Sequence, residues 1–143
     1  MMMKIMLDPG AKMPTRAHPW DAGLDLYAPD KDGVYTITPC GGSTVIDTGV
    51  HVQIPEGCTG FVKAKSGLNV KHGLTTTGVI DSHYTGSIRV KLYNHHPCIR
   101  YDIKPGDKIA QLVILKCELP ELELVDSLEE TDRGDNGFGS TGR

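Results

Sequence analysis

Five short segments of this chain hold residues whose types and spacing could do chemistry. Asp25 sits in Ala22-Gly23-Leu24-Asp25-Leu26-Tyr27-Ala28, and a carboxylate between leucines must be paired, hydrated or set against a cation. An edge-strand Asp facing water would explain that segment taken alone. Ala64-Lys65-Ser66-Gly67-Leu68 offers a cation, a hydroxyl and a glycine that lets backbone come close, which are the ingredients of a phosphate site. The same residues also make an ordinary turn. Gly78 to Gly86 reads as a hairpin with Asp81 and Tyr84 near its tip, where a carboxylate could act as general base and a ring could limit sugar shape. An Asp that merely caps a turn is the plainer alternative. Gln111 follows Gly106-Asp107-Lys108 into an apolar run, half-buried and able to hydrogen-bond a ligand or the fold itself. Residues 132–142 are rich in glycine and carry Arg133, Phe138, Gly139, Ser140 and Thr141, so they could wrap phosphates and stack Phe138 on a flat ring, or form a tail of no consequence.

Two tempting matches fail on context. Gly137 to Gly142 fits G-x-G-x-x-G, but that fingerprint needs a strand before it and a helix after it, and one residue follows Gly142. Gly60 to Ser66 resembles a P-loop only superficially, because Ala64 replaces the second glycine and the spacing is one short. The four cysteines are far apart with no C-x-x-C pair, which suggests reduced thiols and an intracellular, cytoplasmic location. The histidines show no zinc-ligand spacing.

Charge narrows the partners. Fifteen basic against eighteen acidic residues give a net charge of −3, the wrong sign for a general nucleic-acid binder. Residues 118–143 hold eight acids and two bases, so the remainder is mildly cationic and suits a small polyanion. The longest apolar runs fall far short of the roughly 20 residues that cross a bilayer, so no membrane is expected. The first ten residues lack the length and cleavage site of a secretory signal.

The elements that must position these residues are short strands. With 143 residues, the chain has the length of one domain. Glycines and prolines punctuate it, and between them the stretches 34–38, 50–54, 60–64, 87–93 and 108–116 alternate or are β-branched. Ile88-Arg89-Val90-Lys91-Leu92 alternates with period two, while 108–116 is apolar enough for a strand covered on both faces. One short helix is expected over 66–72 with Ser66 as its cap. The pattern predicts an all-β sandwich or barrel over 1–117 and a tail over 118–143 that cannot build its own core.

In this order and at these separations, the five segments resemble the five motifs of the trimeric deoxyuridine triphosphate nucleotidohydrolases (dUTPases). The resemblance runs from about Ala22 to Gly142. It implies a distorted jelly-roll barrel with only a short helix, a flexible glycine-rich C-terminal tail, and a homotrimer with sites between subunits. The implied reaction is hydrolysis of dUTP to dUMP and pyrophosphate, which limits uracil incorporation into DNA and supplies dUMP. Carried over by motif, Asp81 activates the water that attacks the α-phosphorus and touches the sugar 3′-hydroxyl. The ring of Tyr84 packs under deoxyribose, and main-chain groups at Val79 and Ile80 read the uracil edge. Lys65, Ser66, Gly67 and Gln111 hold phosphates, while Asp25 positions Mg2+ through water. Arg133, Gly139, Ser140 and Thr141 close over the nucleotide from a neighbouring subunit, with Phe138 stacked on uracil.

Two departures stand out. Lys65 and Lys108 occupy positions where the family usually has Arg, which keeps the charge and loses bidentate geometry. Asn69 replaces a small residue, with no effect that physics supplies. Two other functions share the pattern: a dCTP deaminase-type relative, and a trimeric binding or regulatory module without turnover. Deamination needs a Glu in its motif, and the segment 78–86 offers Asp81 and no Glu. A regulatory protein partner as a second role is compatible with the sequence.

Overall fold

In a computed structural model of the chain, residues 2–30 and 33–136 are described. The strands run β1 (Lys4–Leu7), β2 (Gly23–Tyr27), β3 (Tyr35–Ile37), β4 (Gly42–Gln53) and β5 (Cys58–Lys63). After the helix α1 (Ser66–His72) come β6 (Leu74–Thr75), β7 (Thr77–Ile80), β8 (Ser87–Asn94), β9 (Tyr101–Ile103) and β10 (Lys108–Lys116). All pairings are antiparallel. One four-stranded sheet has the order β1-β4-β8-β6, a second has β2-β10-β5-β7, and β3 with β9 forms a two-stranded ribbon.

The two larger sheets share one core. Ile46, Val50, Val52, Ile88, Val90 and Leu92 from the first sheet join Leu26, Val62, Ile109 and Leu112 from the second in a single buried cluster. This is the all-β, jelly-roll-like arrangement anticipated above, built as two open sheets rather than one closed hydrogen-bonded ring. Among the described residues, no helix is long and apolar enough to cross a membrane.

Local chemistry explains most elements. Along β8, residues 88, 90 and 92 are buried while 89 and 91 are exposed, as strict alternation requires. The continuously apolar β10 is central in its sheet, but only one of its faces is fully covered, with Gln111 and Val113 half-exposed on the other. The helix forms where expected, yet Lys65 is its N-cap without a side-chain cap bond, and Ser66 is its first helical residue. Gly73 ends it at φ 67°, in the left-handed region that glycine adopts without penalty.

The segment read as a hairpin is a different object. Its flanking strands β7 and β8 lie in different sheets, so residues 81–86 are a crossing between sheets and not a hairpin. The backbone N–H of Tyr84 donates to the Asp81 carbonyl at 3.0 Å and closes the turn there. Beyond β10, residues 118–136 are all exposed and form no strand.

Candidate active site

The second sheet presents a polar row on its outer face. Gln111 is in register with Asp25 on one side and Lys63 on the other, and Lys63 is in register with Thr77. The next row, Leu24, Leu112, Val62 and Gly78, points into the core, because neighbouring residues on a strand alternate faces. This alternation places Asp25 among leucines in sequence yet on the polar side of the sheet.

Asp25 is nevertheless only 5% exposed, and it is not left alone. Lys65, at the exit of β5, hydrogen-bonds its Oδ1, and Lys108, at the start of β10, lies 2.8 Å from its Oδ2. Burial works against the carboxylate's charge, but the hydrogen bonds from Lys108 and then Lys65 outweigh it, so the pKa lies below the usual carboxylate value. The same contact raises the Lys108 ammonium above its ordinary value. Gln111 donates through Nε2 to the Ala64 carbonyl at 3.1 Å, which ties it to the loop carrying Lys65. Gly23 makes room for that pose, since a Cβ there would fall 2.3 Å from Gln111 Oε1. Asp21, Gly23, Asp25, Lys65 and Gln111 line a hollow of about 350 Å³. Ser66 and Gly67 follow at its edge, exposed at the start of α1.

A second hollow of about 240 Å³ lies at the crossing between sheets, lined by Val79, Ile80, Asp81, Tyr84, Ser87 and Arg89. The Tyr84 hydroxyl donates to the Ser87 carbonyl at 2.9 Å, which pins the ring over the turn. Thr59 Oγ1 donates to the Ile80 carbonyl at 3.2 Å and fixes the other end. β7 is an edge strand, paired only with β5 among the described residues. Its outward amides and carbonyls are therefore open to a planar ligand that offers both a donor and an acceptor.

The structure thus brings the expected residues together in two groups and does not merge them. Asp25, Lys65 and Gln111 share the first hollow; Val79, Ile80, Asp81 and Tyr84 share the second; no residue lines both. Three residues of β5 separate the Lys63–Thr77 row from the Gly60–Ile80 row, about 10 Å of strand. Arg133 joins neither group and donates through Nε to the Asn136 carbonyl at 3.1 Å. Phe138, Gly139, Ser140 and Thr141 lie outside the described residues.

Sequence reasoning missed Arg89 and Asp21, and it named Lys108 without giving it a part in the site. Lys108 anchors Asp25, and its position at the mouth of a buried strand after Gly106-Asp107 was the available signal. Arg89 faces the Asp81 hollow, as its outward place in the Ile88–Leu92 alternation implies. Asp21 adds a second carboxylate to the first hollow through a local turn, where its Oδ2 accepts from the His18 backbone N–H at 2.9 Å; no pattern pointed to it.

Among the described residues, no group of three or more His, Cys, Asp or Glu gathers as a metal centre. The donor set around Asp25 is one hard carboxylate flanked by ammonium groups. With Asp21 lining the same hollow, that set fits a magnesium ion, which keeps most of its waters and needs only one or two carboxylates.

The dUTPase family model matches residues 10–142. The deoxyuridine 5′-triphosphate nucleotidohydrolase of Rhodococcus erythropolis is 43% identical over 139 residues, which is 95% of this chain and 82% of that protein. The enzyme of the same name from Rabbitpox virus is 46% identical over 132 residues, covering 92% of this chain and 86% of its own. Among solved structures, the dUTPase of Staphylococcus bacteriophage 80alpha with dUpNHpp has a TM-score of 0.88 at 32% identity over 99% of both chains. A variant dUTPase from phage phi11 of S. aureus, whose structure describes coordination of a structural Mg(II) ion, has a TM-score of 0.78 at 30% identity, covering 90% of this chain and 99% of that one.

Proposed function

This chain belongs to the dUTPase family, and from that premise we propose that it hydrolyses dUTP to dUMP and pyrophosphate by the route its own residues support. Consuming dUTP limits uracil incorporation into DNA, and the reaction supplies dUMP. The observation that carries the reading is the Asp81 turn, with an exposed carboxylate beside a tethered ring and an open strand edge.

Asp81 accepts a proton from a water whose oxygen attacks the α-phosphorus. The bond from that phosphorus to its bridging oxygen breaks, and pyrophosphate leaves with the electron pair. Phosphoryl transfer of this kind needs positioning and charge neutralisation more than covalent chemistry. The ring of Tyr84 lies under the deoxyribose and fills the space of a ribose 2′-hydroxyl. The edge amides and carbonyls of Val79 and Ile80 match the uracil edge, and a base with the wrong pattern leaves buried polar groups unpaired.

Lys65, Ser66, Gly67 and Gln111 bind the phosphates. The first two cations to meet the nucleotide are Lys65 and Lys108, which exchange the Asp25 carboxylate for phosphate oxygens. Asp25, once released, is the carboxylate that would face the waters of magnesium. When bound, that ion neutralises charge on the phosphates.

The separation of the two hollows supports a homotrimer in which the Asp81 hollow of one subunit meets the Asp25 hollow of the next. Residues 1–117 then form the catalytic body and 118–143 an arm that reaches a neighbour. Arg133 engages the terminal phosphate, Gly139, Ser140 and Thr141 close around the chain, and Phe138 stacks on uracil.

The test is pyrophosphate release from dUTP with magnesium by purified protein, with dCTP, dTTP and UTP as controls. Rapid release from dUTP alone supports the reading. Ammonia release from dCTP would replace it with deamination, and nucleotide binding without products would replace it with a binding module.

A further inference from the structure

Resting on the role given above to the Asp81 turn, we propose that His51 is a positioning residue that clamps this turn to the corner between β1 and β4 through the carbonyl of Thr85. His51 Nδ1 lies 2.8 Å from the Thr85 oxygen, and because a carbonyl can only accept, Nδ1 carries the proton. Its other nitrogen, Nε2, is 3.2 Å from Asp8 Oδ1, though the angle is off line for a hydrogen bond. The contact is one of charge, attractive when the ring is an imidazolium and unfavourable when a lone pair faces the carboxylate.

The fold is shaped to make this meeting. Between Asp47 and His51 the β4–β8 register shifts, because Asp47 pairs with Arg89 while His51 pairs with Ser87. Four residues of β4 thereby span two of β8, and the excess is absorbed at Gly49, with φ 67°. The Gly49 carbonyl accepts from the Asp8 N–H at 2.8 Å, which brings Asp8 to the ring. The root of the turn is held at two further points: Ser87 Oγ hydrogen-bonds Asp47 Oδ1, and the Tyr84 hydroxyl donates to the Ser87 carbonyl. Of these contacts, His51 alone can lose a charge near neutral pH.

Asp8 at the exit of β1 and Asp47 on β4 favour the imidazolium, Lys4 on β1 lines the same shallow hollow, and Arg89 on β8 lies against Asp47. The Thr85 carbonyl, then Asp8, hold the imidazole pKa above its ordinary value. A raised folded value means that the Asp8 contact reinforces the clamp fully below the ordinary imidazole pKa and is lost as pH climbs through the elevated one, while the Nδ1–H bond to Thr85 stays with the neutral ring.

The test uses full-length protein, with hydrogen exchange at the amides of residues 82–86 and a pH titration of His51 by NMR, both without nucleotide. In H51A, exchange at these amides should rise about fivefold, the worth of one hydrogen bond, and kcat should fall by a similar factor with little change in KM. H51Q retains a donor toward Thr85 and cannot be charged. It should recover most of the protection and lose the pH-dependent step seen in the wild type. D8N should leave the hydrogen bond in place and move the His51 midpoint down. Unchanged exchange in H51A, or a His51 midpoint that D8N does not move, overturns the proposal. Turnover missing from the wild type with these exchange effects present would instead fail the enzymatic reading alone.

Discussion

Lys108 reaches across from β10 to place its ammonium 2.8 Å from Asp25 Oδ2 on β2, while Lys65 occupies the opposite oxygen of the same carboxylate. One buried anion thus organises two cations, one from the start of β10 and one from the cap of α1. Each lysine takes a single carboxylate oxygen, since an ammonium lacks the fork that would let one cation span both.

Replacing Asp25 by Asn leaves these cations without a counter-charge. The lysine side chains are 28% and 44% exposed, so solvent screens much of the effect, and a loss of about 1–2 kcal/mol is expected in urea unfolding at pH 7. The pH dependence has a definite sign. A lowered carboxylate pKa stabilises the fold above the ordinary carboxylate value and ceases to do so as pH falls through the lowered one. The stabilities of wild type and D25N should therefore begin to approach each other as pH falls below 3.8, the ordinary value, and meet only below the lowered one. Equal stability at pH 7 would show that the triad contributes nothing.

Asp81 closes its turn with its carbonyl, not its carboxylate, since the Tyr84 N–H donates to the backbone oxygen. D81N should consequently fold normally, with thermal unfolding unchanged, and lose on the order of 10²–10⁴-fold in dUTP turnover, the usual share of a general base. A variant with normal turnover would remove Asp81 from the chemistry.

The fold was legible where one rule governed. Strict alternation marked β8, and a continuous apolar run after Gly106 marked β10. β4 was legible only at its far end, because its twelve residues include the shifted register at 47–51, which breaks the period-two pattern. The Gly78 to Gly86 segment misled for a related reason. Two strands joined by a short turn normally pair with each other, and here they join opposite sheets, a tertiary choice that no local signal encodes. At the site, residue types were readable and partnerships were not. Asp25 was recognised as needing a partner, but Lys108 lies 83 positions away in sequence and meets it only through the β2–β10 register. His51 gave no signal at all, because its two contacts come from β1's exit and from the crossing turn.

Gly86 stands against the ring of Tyr84. A Cβ at that position would fall 2.5 Å from the Tyr84 hydroxyl oxygen and 2.6 Å from the ring carbon that bears it. G86A should push the ring off its bond to Ser87 and widen the space beneath the sugar. The ratio of kcat/KM for dUTP over UTP should then fall by roughly tenfold, the scale of one mis-shaped contact, with a smaller change in dUTP kcat. An unchanged ratio would mean that the ring does not choose between the sugars.

Residues 118–136 contribute no strand, and all of them are exposed. A chain stopped after Asp132 should for that reason keep its thermal midpoint and its oligomeric state, since the core from Leu26 to Leu112 is untouched. It also loses Arg133, Phe138, Ser140 and Thr141, the groups assigned to phosphate and uracil. Without closure, water stays beside the phosphates and weakens every charge contact. Turnover of dUTP is expected to fall by about 10²-fold, as when groups that orient a substrate are lost. Nucleotide binding, followed by calorimetry with a non-hydrolysable analogue, should weaken less, because Lys65, Lys108 and Gln111 remain. If the shortened chain turned over dUTP at the full rate, the arm would have no part in catalysis, and the site would have to be complete within the body.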